Sequence, residues 1–552
     1  MMKRLLSAVM LLFCAVAVAS AEGKEKKDWG YLTGSLESNN HIYVKDQVTG
    51  FYPENQVQLV DGGIFATNDY LKLDYYNGRI SAGMQLEGYF PTLVGYPTIL
   101  KGMSLSNLYV SWKDKSYSVT AGTFYDQFGS GLLFRSWEDR TLGLNNALLG
   151  ARATYSYGDF VSAKVLWGVP RLGTGVKEDG FFGLGLTDTW LAGADFRVSL
   201  ADIIGLDNVL LGVEGSLLAK HEDPGEYDAE RGFTPYNIGW SARADFEYDG
   251  YYVKGEYVDT GLQKVGFFDP ISGNAQLLEF GYNGNGLGLS FTGRRLERML
   301  RKIYAHTTSD ARYYDATNLL AYVPAMCTQY TYMLTALNPY SPKIGDGASA
   351  GEIGGQVDAF YNFRRGTRIG GKRGMKVHAN FSSWWALNDE GGIKDGHRVF
   401  LDFSVDVEKQ WTKKFKTVLM YSLQDYNDNH SVSGIYIGQS HTVVADMLYK
   451  WTPKLSTRLE LQYLASRDYQ KDWMAALLEV SFAPHWSVFA SDMYNHGQTG
   501  IHYYNGGVSF TMEHLRIAAG YGRYKEGYIC SGGVCRAIPA YTGANITLTA
   551  SF

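Results

Sequence analysis

The chain predicts an all-β fold: a single large transmembrane antiparallel up-and-down β-barrel of about 26 strands, with 24–26 expected. Three observations predict it. Apolar and polar residues alternate with a period of two along most of the chain, as in strands with one dry and one wet face. Tight turns alternate with long loops from one end of the chain to the other. The N-terminus carries the pattern of an export leader. A mean hydropathy of −0.20 is compatible with membrane insertion only in a barrel, where half of each strand faces a polar lumen.

The leader comes first. Lys3 and Arg4 form its basic segment, Leu5 to Val18 its apolar run, and Ala19-Ser20-Ala21 a small-residue cleavage site before Glu22. Residues 1–21 are expected to be a cleaved signal peptide, 22–28 a short periplasmic segment and 29–552 the barrel. No later segment offers the ~18 consecutive apolar residues of a spanning helix. The 13 Pro are few, which suits paired strands, because Pro removes a ladder donor. The 41 Tyr suit interface belts, where a ring with one wet end sits well. A formal net charge of −5 on 552 residues leaves no basic footprint for nucleic acid.

The clearest hairpin is Tyr70 to Tyr76, turn Asn77-Gly78, then Arg79 to Phe90; Asn-Gly is the preferred type I′ pair. Leu71, Leu73 and Tyr75 share one face, and Lys72 and Asp74 the other. On the return, Ile80, Ala82, Met84 and Leu86 oppose Ser81, Gln85 and Glu87. The pattern recurs at 240–257 around Asp249-Gly250, at 399–408 and at 455–463. A charge on a lipid face costs ~2–4 kcal/mol near the midplane. Lys72, Asp74, Glu87, Arg243, Asp245, Glu247, Lys254, Glu256, Asp402, Asp406, Glu408, Arg458 and Glu460 are therefore expected to line the lumen.

Tight turns such as Asp114-Lys115, Gly158-Asp159, Gly284-Asn285 and Glu513-His514 are assigned to the periplasm, and long loops such as 40–67, 127–146 and 526–541 to the cell exterior. Trp411, Trp451 and Trp486 flank three tight turns, as a periplasmic aromatic girdle. The strand count is weakest at 296–350, read as two long loops around a stretch that Pro324 and Pro339 interrupt. The last strand, Ala544 to Phe552, alternates without a break and ends on an aromatic residue. In that it resembles the C-terminal sorting signal of outer-membrane barrels, which implies the outer membrane, its lipid and lipopolysaccharide, and the barrel-assembly machinery as surroundings.

Between the leader and the first strand near Trp29 there is no room for a plug domain. A barrel this wide is expected to be filled by its own loops or by a partner protein. The densest polar stretch, Gly122 to Asn146, is the candidate: Gly129 and Gly131 permit a sharp bend, and Arg135, Glu138, Asp139 and Arg140 follow. It reads either as a lumen constriction of mixed charge or as a salt-bridged segment that stabilises the wall. Arg294, Arg295, Arg298 and Arg301 read as a lumen-paired or solvated loop, or as a phosphate site for lipopolysaccharide. Arg364, Arg365, Arg368, Lys372 and Arg373 form a basic periplasmic turn. Asp425, Asn427, Asp428 and Asn429 are oxygen-rich, with calcium as the weaker reading.

Of the four Cys, Cys14 leaves with the leader, and Cys530 and Cys535 are spaced to form a disulfide in an oxidising compartment. Cys327 is left over. No metal site and no cofactor are expected. His378 and His441 are isolated and read as structural, no nucleophile motif is present, and catalysis is not expected.

The segment Gly122–Asn146, the stretch Gly351-Glu-Ile-Gly-Gly-Gln-Val-Asp-Ala-Phe-Tyr-Asn-Phe363 and the tail Cys535-Arg-Ala-Ile-Pro-Ala-Tyr-Thr-Gly543 together resemble a family of Bacteroidota outer-membrane barrels of unknown function. The resemblance covers nearly all of the mature chain. It implies compartment and architecture, and no activity. Two functions stay open: a porin-like channel or transporter for a polar solute, and a non-enzymatic assembly or secretion component whose lumen or loops hold another protein.

Overall fold

A strand that alternates apolar and polar residues must find two neighbours and two different environments, and in this chain both demands are met by closure. The computed structural model describes residues 30–59, 62–174, 183–264, 270–306, 317–337, 339–342, 350–427, 438–467 and 470–552. The expected leader, the segment 22–28 and Trp29 lie outside the described residues.

The wall strands are β1 (Tyr31–Val44), β2 (Phe65–Asn77), β3 (Ile80–Tyr89), β4 (Gly102–Lys113), β5 (Tyr117–Phe124), β6 (Leu148–Tyr157), β7 (Val161–Pro170) and β8 (Trp190–Ser199). They continue with β9 (Val209–His221), β10 (Tyr236–Tyr248), β11 (Tyr251–Gln263), β12 (Ile271–Gly284), β13 (Leu287–Glu297), β14 (Gly351–Phe363), β15 (Met375–Leu387) and β16 (Ile393–Gln410). The last are β17 (Phe415–Tyr426), β18 (Gly438–Thr452), β19 (Leu455–Ser466), β20 (Trp473–Phe482), β21 (Trp486–Tyr494), β22 (His502–Met512), β23 (Leu515–Tyr524) and β24 (Tyr541–Ser551). Each pairs antiparallel with the next, and β24 pairs with β1 from Ser35↔Ser551 to Val44↔Thr542, closing a 24-stranded sheet. Beyond the last paired residues, the backbone of Phe552 exchanges hydrogen bonds with Gly34 at 3.0 and 3.1 Å.

The wall has 24 strands, the lower bound of the expected span and two fewer than the central expectation. The difference lies at 296–350. Among the described residues between β13 and β14, none forms a wall strand. The Pro residues of this stretch cannot donate to a ladder, and its apolar side chains are buried inside the lumen instead.

The turn at Asn77 also differs from expectation. Asn77 pairs with Ile80, so the two turn residues are Gly78 and Arg79, and only Gly78 has a positive φ, +57°. A positive φ at the first central position alone is the type II′ pattern rather than type I′. Asp249-Gly250 does take the type I′ pattern, with φ of +49° and +81°.

The outward face is that of a membrane-spanning barrel. Val110, Val165, Phe196, Leu217, Phe280, Leu419, Val443, Leu461 and Leu478 all project outward and exposed, on strands right around the wall. No soluble protein tolerates an apolar band of that extent. At the tight-turn end Trp411, Trp451 and Trp486 are each more than half exposed. Trp411 and Trp451 donate their indole N–H to Thr417 and Thr457, both six residues on, at 2.8 and 3.0 Å. Among the described residues no helix is long and apolar enough to cross a membrane.

Leu461 pairs with Ala445 and Ala476 in mid-strand. Leu461→Arg is expected to destabilise the folded barrel by ~2–4 kcal/mol, measured by urea unfolding in lipid vesicles followed by Trp fluorescence. A change under ~0.5 kcal/mol would remove that position from the lipid face.

Candidate functional site: a lumen closed by three loops

A closed wall of 24 strands, spaced ~4.8 Å and tilted ~40°, has a mean diameter of ~47 Å. Side chains cannot fill that width. Three segments from the long-loop end fold into it together: residues 125–147 after β5, a strap after β13 whose described parts are 298–306, 317–337 and 339–342, and residues 525–540 between β23 and β24.

The first segment enters through Gly129 and Gly131, whose φ of +51° and +93° are open to glycine and strained for other residues. A Cβ on Gly129 would also lie 2.6 Å from the Arg243 side chain and from Glu256. Wall residues hold the segment in place. Lys164 of β7 donates to Asp126 at 2.6 Å and to the Gln127 carbonyl at 2.9 Å, and Arg152 of β6 donates to Asp126 at 3.3 Å. Phe128, Leu132, Leu133 and Phe134 then bury against inward apolar residues of the wall (Leu148, Leu166, Leu191, Leu218 and Val258) and against Met299, Ile303 and Leu320 of the strap.

Backbone hydrogen bonds stitch the three segments to one another. Arg135 N–H donates to Leu320 O at 2.8 Å, Tyr322 N–H to Gly131 O at 2.9 Å, and Val323 N–H to Gly532 O at 2.9 Å. Val323 thus bonds to a small hairpin, Gly527–Ser531 with Val534–Ile538, closed by the Cys530–Cys535 disulfide. Trp137, Leu142, Leu144, Leu300, Leu319 and Val534 form the apolar centre where all three meet.

The strap then runs along the wall. Thr328 bonds Ser404 at 2.9 Å, Tyr330 donates to Asp402, Tyr332 donates to Asp446 at 3.4 Å, and Leu334 N–H donates to Gln462 at 2.9 Å. Its start is pinned by Glu222, which accepts from the backbone N–H of Ala305 and His306 at 2.8 and 2.9 Å. Burial pushes His306 below its ordinary pKa despite the neighbouring Glu222 and Asp228, so its ring is neutral near pH 7. Burial likewise raises the Cys327 thiol.

Two arginines of the strap region contrast. Arg294 and Glu352 are fully buried and paired at 3.0 Å; Arg294 also donates to Pro324 O at 2.6 Å, and Tyr340 donates to Glu352. Arg301 is also buried, but it makes one bond, 2.9 Å to Thr260 O, and its Nε and Nη2 find no partner among the described residues. Thr260 O is free to accept because a bulge between Asp259 and Leu262 shifts the β11–β12 register. Burial lowers the Arg301 pKa to about 10. Arg294 and Arg301 thus point inward and are buried, whereas Arg295 shares the strand parity of the outward-facing Leu289 and Phe291 and, with Arg298, bonds Glu297 at the long-loop rim.

The four residues expected as a constriction all lie on the first infolded segment, but they separate. Arg135 stacks on Tyr322 at 3.9 Å to the ring centroid. Arg140 pairs with Glu37 of β1 at 2.7 Å and Glu138 at 3.6 Å. Burial opposes its charge, yet Glu138 and Glu37 hold its pKa above the ordinary value. Glu138 accepts from Gln85 at 2.6 Å, and Asp139 caps its own turn through Thr141 and Leu142.

The wall charges pair on the inner face, some within one strand and some between strands. Lys72 meets Asp74 at 3.1 Å, and Glu87 meets Arg171. Arg243 meets Asp195 and Glu214 at 2.5 and 2.7 Å, and Asp245 meets Arg197 at 3.0 Å. Asp406 meets His378 at 2.7 Å, Glu408 meets Lys416 at 2.9 Å, and Arg458 meets Asp446 and Glu460 at 2.9 and 2.6 Å. Asp402 accepts from Tyr330, and Glu256 accepts from Ser130 N–H at 3.3 Å. His441 bonds Tyr421 at 2.8 Å on the outer face. Asp425 pairs with Arg398, while Asp428 and Asn429 lie outside the described residues. Arg364, Arg365, Arg368 and Lys372 are exposed on the turn between β14 and β15. The wall anchors Lys164, Arg152, Glu222 and Glu352 carry no motif. What identifies them is inward strand parity at the long-loop end.

Two cavities flank the plug. The one toward the tight turns, about 470 Å³, has Gly129 and Ser130 as its roof and is rich in charge: Arg197, Arg243, Lys254, Glu214, Asp245, Glu247, Glu256 and Glu279. The one toward the long loops, about 380 Å³, lies between the strap, the disulfide hairpin and the wall at Phe400 and Gln424. Among the described residues no cluster of His, Cys, Asp and Glu is arranged to hold a metal ion.

The chain matches DUF6029, a family of unknown function. The family model matches residues 2–552, and the chain belongs to that family. A comparison with curated proteins finds no match. Among solved structures, the chain is similar to the P pilus usher PapC translocation pore (9 % identity, 94 % of this chain and 99 % of that one, TM-score 0.41). It is also similar to the siderophore receptor PirA of Pseudomonas aeruginosa (8 %, 96 % and 81 %, TM-score 0.42) and to OccK3 of the same organism (10 %, 95 % and 97 %, TM-score 0.34). At these values the likeness extends to barrel architecture and no further.

Breaking one partner of the Arg294–Glu352 pair strands a buried charge. Arg294→Ala is expected to cost ~3–5 kcal/mol in urea unfolding. Arg301→Met removes a buried charge that has a single bond, and is expected to be neutral or stabilising by ~1–3 kcal/mol. Equal losses in both variants would contradict the distinction.

Proposed function

We propose that the protein is an outer-membrane channel or transporter for a polar solute, closed at rest and opened when its own loops give way. The observation that carries this is the way the lumen is closed: by three segments of this chain, held to the wall by hydrogen bonds and ion pairs at many points. Such links break and reform in water at a net cost of ~0.5–1.5 kcal/mol each, whereas wall strands in lipid have no alternative partners. The plug can therefore shift while the wall stays.

In this reading the long loops face the cell exterior and the tight turns the periplasm. Residues 1–21 are the export leader, outer-membrane lipid and lipopolysaccharide surround the apolar band, and the barrel-assembly machinery inserts the chain. The three segments shared with the Bacteroidota barrel family support that source. Arg135, Glu138, Asp139 and Arg140, on the first infolded segment, form the constriction, and the reading is non-enzymatic. Wall charges of both signs predict weak ion preference.

The test is conductance in planar bilayers. The wild-type barrel is expected to be closed or nearly so. Replacing 318–342 by a short Gly-Ser linker is expected to raise conductance at least tenfold. In that opened variant, Arg135→Glu with Arg140→Glu should shift selectivity toward cations. An opened variant that conducts no better than wild type, with a stoichiometric protein partner retained on purification, would replace the channel reading with the scaffold one.

A further inference from the structure

The two cavities beside the plug differ in chemistry, and the difference specifies a ligand. The cavity toward the tight turns carries eight charged side chains. The cavity toward the long loops carries none among its described lining residues. In a lumen otherwise crowded with ion pairs, a described lining without charge suits a solute without charge: an ionic solute would lose water against that lining with no counter-charge from it in return.

The lining narrows the class. Tyr322, Tyr330, Tyr340 and Phe400 border the cavity, with Pro324, Pro339 and Pro342. Two of the phenols are committed elsewhere: Tyr330 donates to Asp402, and Tyr340 donates to Glu352 while its ring stacks on Phe400 at 4.5 Å. Their hydroxyls are held at the wall, so these residues offer the cavity ring carbon rather than donors. Polar contact is left to Gln329, Ser341, Ser531 and the Tyr322 hydroxyl, which make no side-chain hydrogen bond among the described residues. Fixed apolar ring surface beside a few uncommitted amide and hydroxyl groups suits a pyranose, which has C–H faces and a rim of hydroxyls. The volume of about 380 Å³ lies at the low end for small-molecule sites, ~300–1,000 Å³, room for one or two sugar rings.

We propose that the cavity bounded by the strap, the Cys530–Cys535 hairpin and the wall at Phe400 and Gln424 is a binding site for a small uncharged saccharide. It deepens the transport reading and depends on it only for the role of the bound sugar, since binding is measured with no transport step.

The experiment is titration calorimetry on the full-length barrel in detergent. The probes are maltose and N,N′-diacetylchitobiose, with glucose 6-phosphate and glutamate as charged comparators. At least one neutral disaccharide is expected to bind with a Kd of millimolar or below, and the charged compounds at least tenfold more weakly. Ala336→Trp, which fills the cavity, is expected to weaken binding at least tenfold, and Gln329→Ala several-fold. Retention of the heat-modifiable folded band on gels separates loss of the site from loss of the fold. The proposal is overturned if neither disaccharide binds, if the charged compounds bind as tightly, or if folded Ala336→Trp binds like wild type. A barrel that binds sugar but never conducts in the opened variant keeps the site and loses the channel.

Discussion

Inside a hydrocarbon layer every backbone N–H and C=O must be paired by the chain itself, and the rest of this molecule follows from that demand. An open sheet of 23 or 25 strands would leave an unpaired edge or join its ends in parallel. With 24, β24 meets β1 antiparallel over ten residue pairs. Closure at that number fixes the width, and the width creates the second problem. A wall ~47 Å across encloses far more volume than inward side chains can occupy, so the chain must fold part of itself inside.

The plug resolves a conflict between two kinds of wall surface. Toward the tight turns the inner face is charged and its charges pair between strands, as Arg243 does with Glu214 on the next strand and Asp195 on the one beyond. Toward the long loops the same face turns apolar, with Leu148, Leu166, Leu191, Leu218 and Val258. An apolar inner wall open to water would be unfavourable by ~25 cal/mol for each Å² left wet. The infolded segments bury it, and in doing so form a core of the ordinary kind within the lumen. The pairs at its margin, Arg294–Glu352 and Lys164–Asp126, set where each segment lies more than how strongly it is held, since desolvation offsets much of their attraction.

Most of the wall was legible in the sequence because its physics is one-dimensional. Period-two alternation and turn residues fix strands such as β10 and β11 without reference to the rest of the fold. The infolding of 125–147 was legible from Gly129 and Gly131 beside a dense polar run. The strap was not. Inside a lumen, chain that is neither wall nor solvent-facing loop carries no period, and 298–342 reads as loops around a proline-broken stretch. That is why 26 strands were expected where 24 exist. Nor could the sequence separate Arg135 from Arg140: five residues apart on one segment, one stacks on Tyr322 and the other pairs with Glu37. Their fates depend on which wall strand and which second loop arrive beside them.

The proposed gate and the proposed binding site meet on the strap. Its first half, to Val323, belongs to the plug core and is stitched to Gly131 and Gly532. Its second half is held to the wall by hydrogen bonds at Pro324, Met326, Thr328, Tyr330, Tyr332, Leu334 and Tyr340, and that half forms one side of the uncharged cavity. A ligand in the cavity would touch that second half directly. It can shift the closed state only by the difference in its affinity for the two positions of that half. The wall bonds of the second half therefore set how large that difference must be.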